Sequence, residues 1–151
     1  MSIKTFELIS TTENNVELIS YVALPENAAD DKPVAGILVA PEWWGISDHT
    51  KSVAERLAEA GYAAVAMDVY GEGKITTDAS MANMWMEQVT ADQDMLMARC
   101  RLILNDFSDQ LAVDGNNLGA IGYCFGGKIV LDMAREAMPL KAVATFHGNL
   151  S

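Results

Sequence analysis

The sequence predicts an α/β protein: a mostly parallel sheet with helices on both faces, entered through an antiparallel hairpin. Three observations predict it. Several apolar runs, "VAGILVA", "YAAVAMDVY", "NLGAIGY" and "LKAVATFHG", are continuous rather than alternating, as strands buried on both faces require. Segments of helical composition separate them, and such β-α-β alternation makes parallel sheets. Finally, 151 residues, of which 50% are hydrophobic, suit a single domain spanning 1–151 with a sizeable core. No repeat, low-complexity tract or linker interrupts it.

Each element has its own justification. Residues 3–9 and 16–24 ("VELISYVAL") read as two strands around the polar turn "TTENN", and Pro25 ends the second. Val34 to Ala40 is rich in branched residues and reads as a buried strand. Asp48 can cap a helix through "HTKSVAERLAEA", with Val53, Leu57 and Ala60 on one face and Gly61 as its stop. Residues 62–70 are a second buried strand, and 71–80 a loop. From 81 to 107 the composition is helical, with Met84, Val89, Met95, Leu96, Leu102 and Ile103 as its apolar set. Met81, Met84, Met86, Met95 and Met97 read as core of that segment. Residues 117–123 form a third buried strand, 126–138 a helix, and 140–148 a fourth.

Charge narrows the partners. Ten Lys and Arg against 21 Asp and Glu leave a net charge of −11, which repels nucleic acid and anionic membranes where no basic patch intervenes. No such patch is present, so neither partner is expected. The start "MSIKTFELIS" lacks a basic then apolar leader, and no apolar run approaches the roughly 20 residues that span a bilayer. A cytoplasmic location follows as the expectation. The two cysteines, Cys100 and Cys124, are too few for a disulfide framework and lack zinc spacing. No metal and no cofactor are expected.

The stretch "GYCFGGK", Gly122 to Lys128, admits two readings. As a phosphate-cradling loop it should end G-K-[ST], but Ile129 follows Lys128, and the following strand offers no Asp for a metal. As a nucleophile turn it should place small residues two before and two after a reactive side chain, at a sharp strand-to-helix junction. Gly122 and Gly126 do this around Cys124, between the strand "NLGAI" and the helix "GKIVLDMA". Cys124 then sits at a helix N-terminus, where free N–H groups favour negative charge. Two alternatives to a nucleophilic hydrolase remain: a nucleotide-binding protein using Gly122 to Lys128, and a non-catalytic interaction module in which Cys124 is inert.

In this architecture an oxyanion hole uses the N–H after the nucleophile and one from the loop after the third strand, here "APEWWGISDH". Phe125 and Trp43 are the candidate donors. Glu42 stands in the same loop, where a carboxylate could accept the thiol proton or hold the thiol in place. Trp43, Trp44 and Trp85 can line an apolar acyl pocket, although burial alone would explain Trp85 equally well.

In register over most of its length, the chain resembles the dienelactone hydrolase family of α/β-hydrolases. "APEWWGISDHTKSVAERLAEAGYAAVAMDVY" is similar to the segment around that family's active-site glutamate, "GAIGYCFGG" to its cysteine elbow, and "AVATFHG" to the strand that follows. The resemblance implies an α/β-hydrolase-like sheet. It implies that Cys124 attacks a small ester or lactone carbonyl to form an acyl-thioester, with Glu42 activating the thiol and the Trp43 and Phe125 amides binding the oxyanion. Two departures stand out. Glu72 occupies the position of an Arg with which the family anchors a substrate carboxylate, and Lys74 nearby compensates weakly. The family's Asp and His follow the nucleophile after further strands, whereas this sequence stops at "FHGNLS". The chain is therefore expected to lack the C-terminal strands and helices, to be weakly active or inactive, and to self-associate through the unpaired edge of its last strand. His49, in the first turn of a helix, reads as a surface residue, and His147 as a structural or pocket-wall residue.

Overall fold

The hairpin forms around the polar turn as expected: β1 (Ile3–Thr11) and β2 (Glu17–Pro25) pair antiparallel in unbroken register from Ile3 opposite Pro25 to Thr11 opposite Glu17. The computed structural model describes residues 2–147. It continues through β3 (Val34–Ala40), α1 (Asp48–Glu59), β4 (Ala63–Ala66), α2 (Ala79–Thr90), α3 (Gln93–Ser108), β5 (Val113–Tyr123), α4 (Phe125–Arg135) and β6 (Ala142–Phe146). The sheet order is β1-β2-β4-β3-β5-β6, with β3, β4, β5 and β6 mutually parallel. Among the described residues, β6 has a strand on one side only, and its Ala142, Ala144 and Phe146 are exposed.

Alternate residues of the central strands point to opposite faces, and each face has its own helices. On one face Ala23 and Ala64 meet Ala54 and Ala58 of α1, small side chains that let helix and sheet approach closely. On the other, Val22, Leu38, Val65 and Leu118 pack with Leu96, Ile103 and Phe107 of α3 and with Ile129, Val130 and Met133 of α4. Gly36 belongs to that second face: a Cβ there would lie 2.7 Å from the Phe107 ring.

The expected α/β architecture with helices on both faces is the one observed, but several boundaries differ for local reasons. The cap of α1 is Ser47, whose hydroxyl accepts from Thr50 N–H, rather than Asp48. Ala60 is exposed, and the buried face of α1 runs through Thr50, Val53, Ala54 and Ala58. The second buried strand ends at Ala66, not Tyr70. Beyond it the Asp68 carboxylate accepts from the N–H groups of Ile19, Gly71 and Gly73 (2.8–2.9 Å), so a side chain replaces the ladder and the backbone turns away while staying buried. The long helical segment is two helices, because Asp92 accepts from Met95 N–H and caps a new one.

On α2 the buried positions are Ala82 and Val89, while Met81 and Met84 are exposed, contrary to the expectation that they are core. Met97 is buried as expected. β5 starts four residues early and carries a bulge, since Ala35 pairs with Asp114 but Gly36 with Leu118.

Candidate active site

The chain leaves β3 toward β4 on one side of the sheet, whereas β5 lies against β3 on the other. The carboxyl ends of β3 and β5 therefore flank a topological switch point, where open α/β sheets leave a crevice for ligands. Ala40 pairs with Gly122 at the last rung between them. Glu42 lies two residues beyond Ala40 and Cys124 two beyond Gly122, so the register brings both chemical groups to one mouth.

The turn at Cys124 is sharp enough to need its glycines. Cys124 has φ 53° and ψ −119°, a left-handed conformation that costs a non-glycine residue on the order of 1–3 kcal/mol and is concentrated at functional sites. A Cβ on Gly122 would overlap the Gly126 carbonyl. One on Gly126 would sit 2.5 Å from the Ala40 oxygen and 2.6 Å from that of Pro41. The first turn of α4 is thus pressed onto the start of the Glu42 loop. Cys124 N–H donates to the Phe146 carbonyl at 2.8 Å and Gly127 N–H to the Cys124 carbonyl at 2.9 Å, which hold the strained residue while its side chain stays exposed.

The opposing turn is pinned at three successive carbonyls. Glu42 C=O accepts from Gly45 N–H (3.3 Å), Trp43 C=O from the Tyr70 hydroxyl (2.7 Å) and Trp44 C=O from Thr76 N–H (3.1 Å). Gly45 has φ +88°, and a Cβ there would overlap the Lys74 carbonyl, so only glycine closes this turn. Among the described residues, neither Trp43 N–H nor Phe125 N–H has an acceptor. Both are the donors expected from the sequence, and among the described residues both lack a partner.

Aromatic rings cluster around the two turns. Tyr70 stacks on Phe125 (6.2 Å between centroids, 14° between planes) and meets Trp85 edge-on, while Trp43 meets Trp44 edge-on. His49 is half exposed as expected of the first turn of α1. Yet its Nε2 lies 3.9 Å from a Glu42 carboxylate oxygen, and its ring packs edge-on against Tyr123, the residue before Cys124. His147 follows β6, exposed and with φ 57°. Glu72 is exposed, with its N–H on the Glu17 carbonyl.

The phosphate-loop alternative loses its lysine. Lys128 Nζ is 2.7 Å from Asp132 Oδ2 within α4, and Ile129 beside it is fully buried. Sequence reasoning missed Tyr70, Arg99 and Asp68. The Arg99 guanidinium donates to the carbonyls of Val69 and Tyr70 at 2.8 and 2.9 Å, and together with Asp68 it fixes the backbone that presents Tyr70. No local pattern announces such contacts, since the partners are about thirty residues apart.

Residues 18–151 match the sequence profile of the dienelactone hydrolase family. The chain belongs to that family. A structure named m3DLH superposes with a TM-score of 0.92 at 33% identity, covering 100% of this chain and 62% of its own. A structure described as a dienelactone hydrolase-like promiscuous phosphotriesterase from metagenomic libraries gives 0.91 at 33% identity over 99% of this chain and 61% of its own. A Synechocystis sp. protein provisionally named carboxymethylenebutenolidase is 29% identical over 98% of this chain and 60% of its own length. A Methylorubrum extorquens protein of the same provisional name is 30% identical over 87% of the chain. The chain spans 60% and 45% of the lengths of these two relatives. No helix among the described residues is long and apolar enough to cross a membrane.

Proposed function

We propose that the chain carries the nucleophile, the supporting carboxylate and the oxyanion hole of a carboxylic-ester or lactone hydrolase that works through Cys124. One observation carries this reading: an exposed thiol on a strained glycine-flanked elbow at the switch point, opposite a turn whose Trp43 N–H has no acceptor among the described residues. The names of the relatives support the same reaction class.

In this mechanism the substrate carbonyl enters the mouth with its oxygen toward the N–H groups of Trp43 and Phe125. Cys124 gives its proton to the Glu42 carboxylate, and Sγ attacks the carbonyl carbon. The C–S bond forms, the carbonyl pair moves onto oxygen, and the two amides stabilise the developing charge. Collapse of that oxyanion expels the alkoxide, which takes up the proton, and leaves an acyl-thioester on Cys124. Water then adds to the thioester carbonyl through the same oxyanion, releasing the acid and restoring the thiol. The aromatic mouth suits an apolar acyl group. Glu72 stands where the resemblance places a carboxylate-binding Arg, so an uncharged ester fits this reading better than a carboxylate-bearing lactone.

The test is acylation. The chain is mixed with p-nitrophenyl butyrate, released p-nitrophenolate is followed, and the product is mapped by peptide mass spectrometry. One equivalent of butyryl on the Cys124 peptide is expected. A chain that releases no p-nitrophenolate and carries no butyryl on Cys124 would overturn the proposal.

A further inference from the structure

Resting on the ester-hydrolase reading, we propose that Tyr70 is the positioning residue of the oxyanion hole: one side chain holds both peptide donors, Trp43 through its hydroxyl and Phe125 through its ring. The two donors come from chain segments about eighty residues apart, so something must set the distance between them. Tyr70 touches both, at 2.7 Å from the Trp43 carbonyl oxygen and in a near-parallel stack on Phe125.

The constraint is transmitted through the backbone. Trp43 N–H belongs to the Glu42–Trp43 peptide, whose carbonyl is fixed by Gly45 N–H; in a trans peptide the N–H must then point the opposite way. The Gly45 bond is long, at 3.3 Å, and by holding the next carbonyl the Tyr70 hydroxyl anchors the Trp43 Cα about which the donor's peptide plane would otherwise tilt. On the other side, the stack fixes where the first residue of α4 lies and hence where its N–H points.

Tyr70 is itself immobilised. It is 5% exposed, packs edge-on against Trp85, and its own carbonyl and that of Val69 accept from Arg99. Burial raises its phenol well above the ordinary value, so the hydroxyl remains a donor throughout the pH range in which the protein would work.

Acylation of Cys124 by p-nitrophenyl butyrate builds charge in the oxyanion hole, whereas alkylation by iodoacetamide is a displacement at saturated carbon that builds none there. Comparing the two rates in one variant isolates the hole from the thiol. Tyr70→Phe keeps the ring and removes the hydroxyl. Its acylation should fall about 10-fold, less than the 10²- to 10³-fold seen when a donor itself is deleted, while alkylation stays within two-fold of wild type. Tyr70→Leu, which also removes the stack, should lower the acylation-to-alkylation ratio further. Tyr70→Phe carries the test should the Leu variant not fold by circular dichroism. An unchanged ratio in Tyr70→Phe, whether the two rates stay the same or fall together, would overturn the positioning role with the hydrolase reading intact. A wild-type chain that alkylates but does not acylate would remove both.

Discussion

Cys100 lies in the middle of α3 with none of its surface exposed, and burial, aided by the Asp132 carboxylate and opposed by Arg99, pushes its thiol up to about 12. Cys124 carries the same side chain at the end of β5, exposed, with a backbone that only a tightly built turn sustains. α4 connects the two environments: it begins at Cys124 and carries Asp132, which acts on Cys100, two turns later. The difference teaches that the surrounding backbone, not composition, decides which thiol meets solvent: one sulfur is left exposed at the end of β5 and the other is packed among Leu96, Ile103 and Leu104.

Removing each sulfur should separate the roles most widely. Under the proposed mechanism, Cys124→Ala is expected to lower the rate of acylation by p-nitrophenyl butyrate at least about 1,000-fold, because Sγ forms the acyl bond. Cys100→Ala should leave the rate within two-fold while reducing the urea midpoint, as loss of a buried atom does. Equal rate losses in both variants would dissolve the distinction.

The next largest effect concerns the turn that creates the exposed site. Gly122→Ala must displace the Gly126 carbonyl, which is backbone and cannot swing aside, so a loss of about 3 kcal/mol in urea unfolding is expected. Gly61→Ala is the control. That residue also has positive φ, +102°, but a Cβ there meets nothing within 4 Å, and backbone strain alone should cost about 1 kcal/mol. Comparable losses would mean that the elbow is no tighter than an ordinary helix stop.

Alkylation compares the thiols directly. Iodoacetamide at neutral pH should modify Cys124 at least about 100-fold faster than Cys100, since a fully buried side chain reacts only through local opening costing several kcal/mol. Peptide mapping at timed quenches reads both rates from one sample. Slow, similar rates would favour an inert Cys124.

What the sequence made legible follows the same division between local and distant causes. The elbow could be read because its steric demand falls on Gly122 and Gly126, two residues from Cys124 on either side. The hairpin could be read from its polar turn "TTENN" and from Pro25, and β3 from its continuous apolar run. The end of β4 could not, because Asp68 replaces the ladder with side-chain hydrogen bonds to residues up to 49 positions away. The exposure of Met81 and Met84 was also hidden: α2 turns its smaller residues, Ala82 and Val89, to the core, and composition does not say which face a helix presents. In the proposed site, Glu42, Trp43 and Phe125 are named from motif position alone. Tyr70 and His49 enter through tertiary packing, which no single stretch of sequence encodes.

The smallest expected effect tests the buried member of the pair. In the unfolded chain Cys100 ionises near its ordinary value of about 8.5, whereas in the folded protein it holds its proton up to about 12. A folded value above the unfolded one means that the native state binds the proton more tightly. The stability this confers is complete below about pH 8.5 and is lost as pH rises toward 12. With a slope of about 1.4 kcal/mol per pH unit, wild type should lose about 2 kcal/mol between pH 8 and 10 that Cys100→Ala does not lose. Urea unfolding of both proteins at the two pH values gives the difference, in which the shared titration of tyrosines and lysines cancels. Parallel pH profiles would mean that Cys100 is reached by water in the native state, and the contrast with Cys124 would then be one of degree.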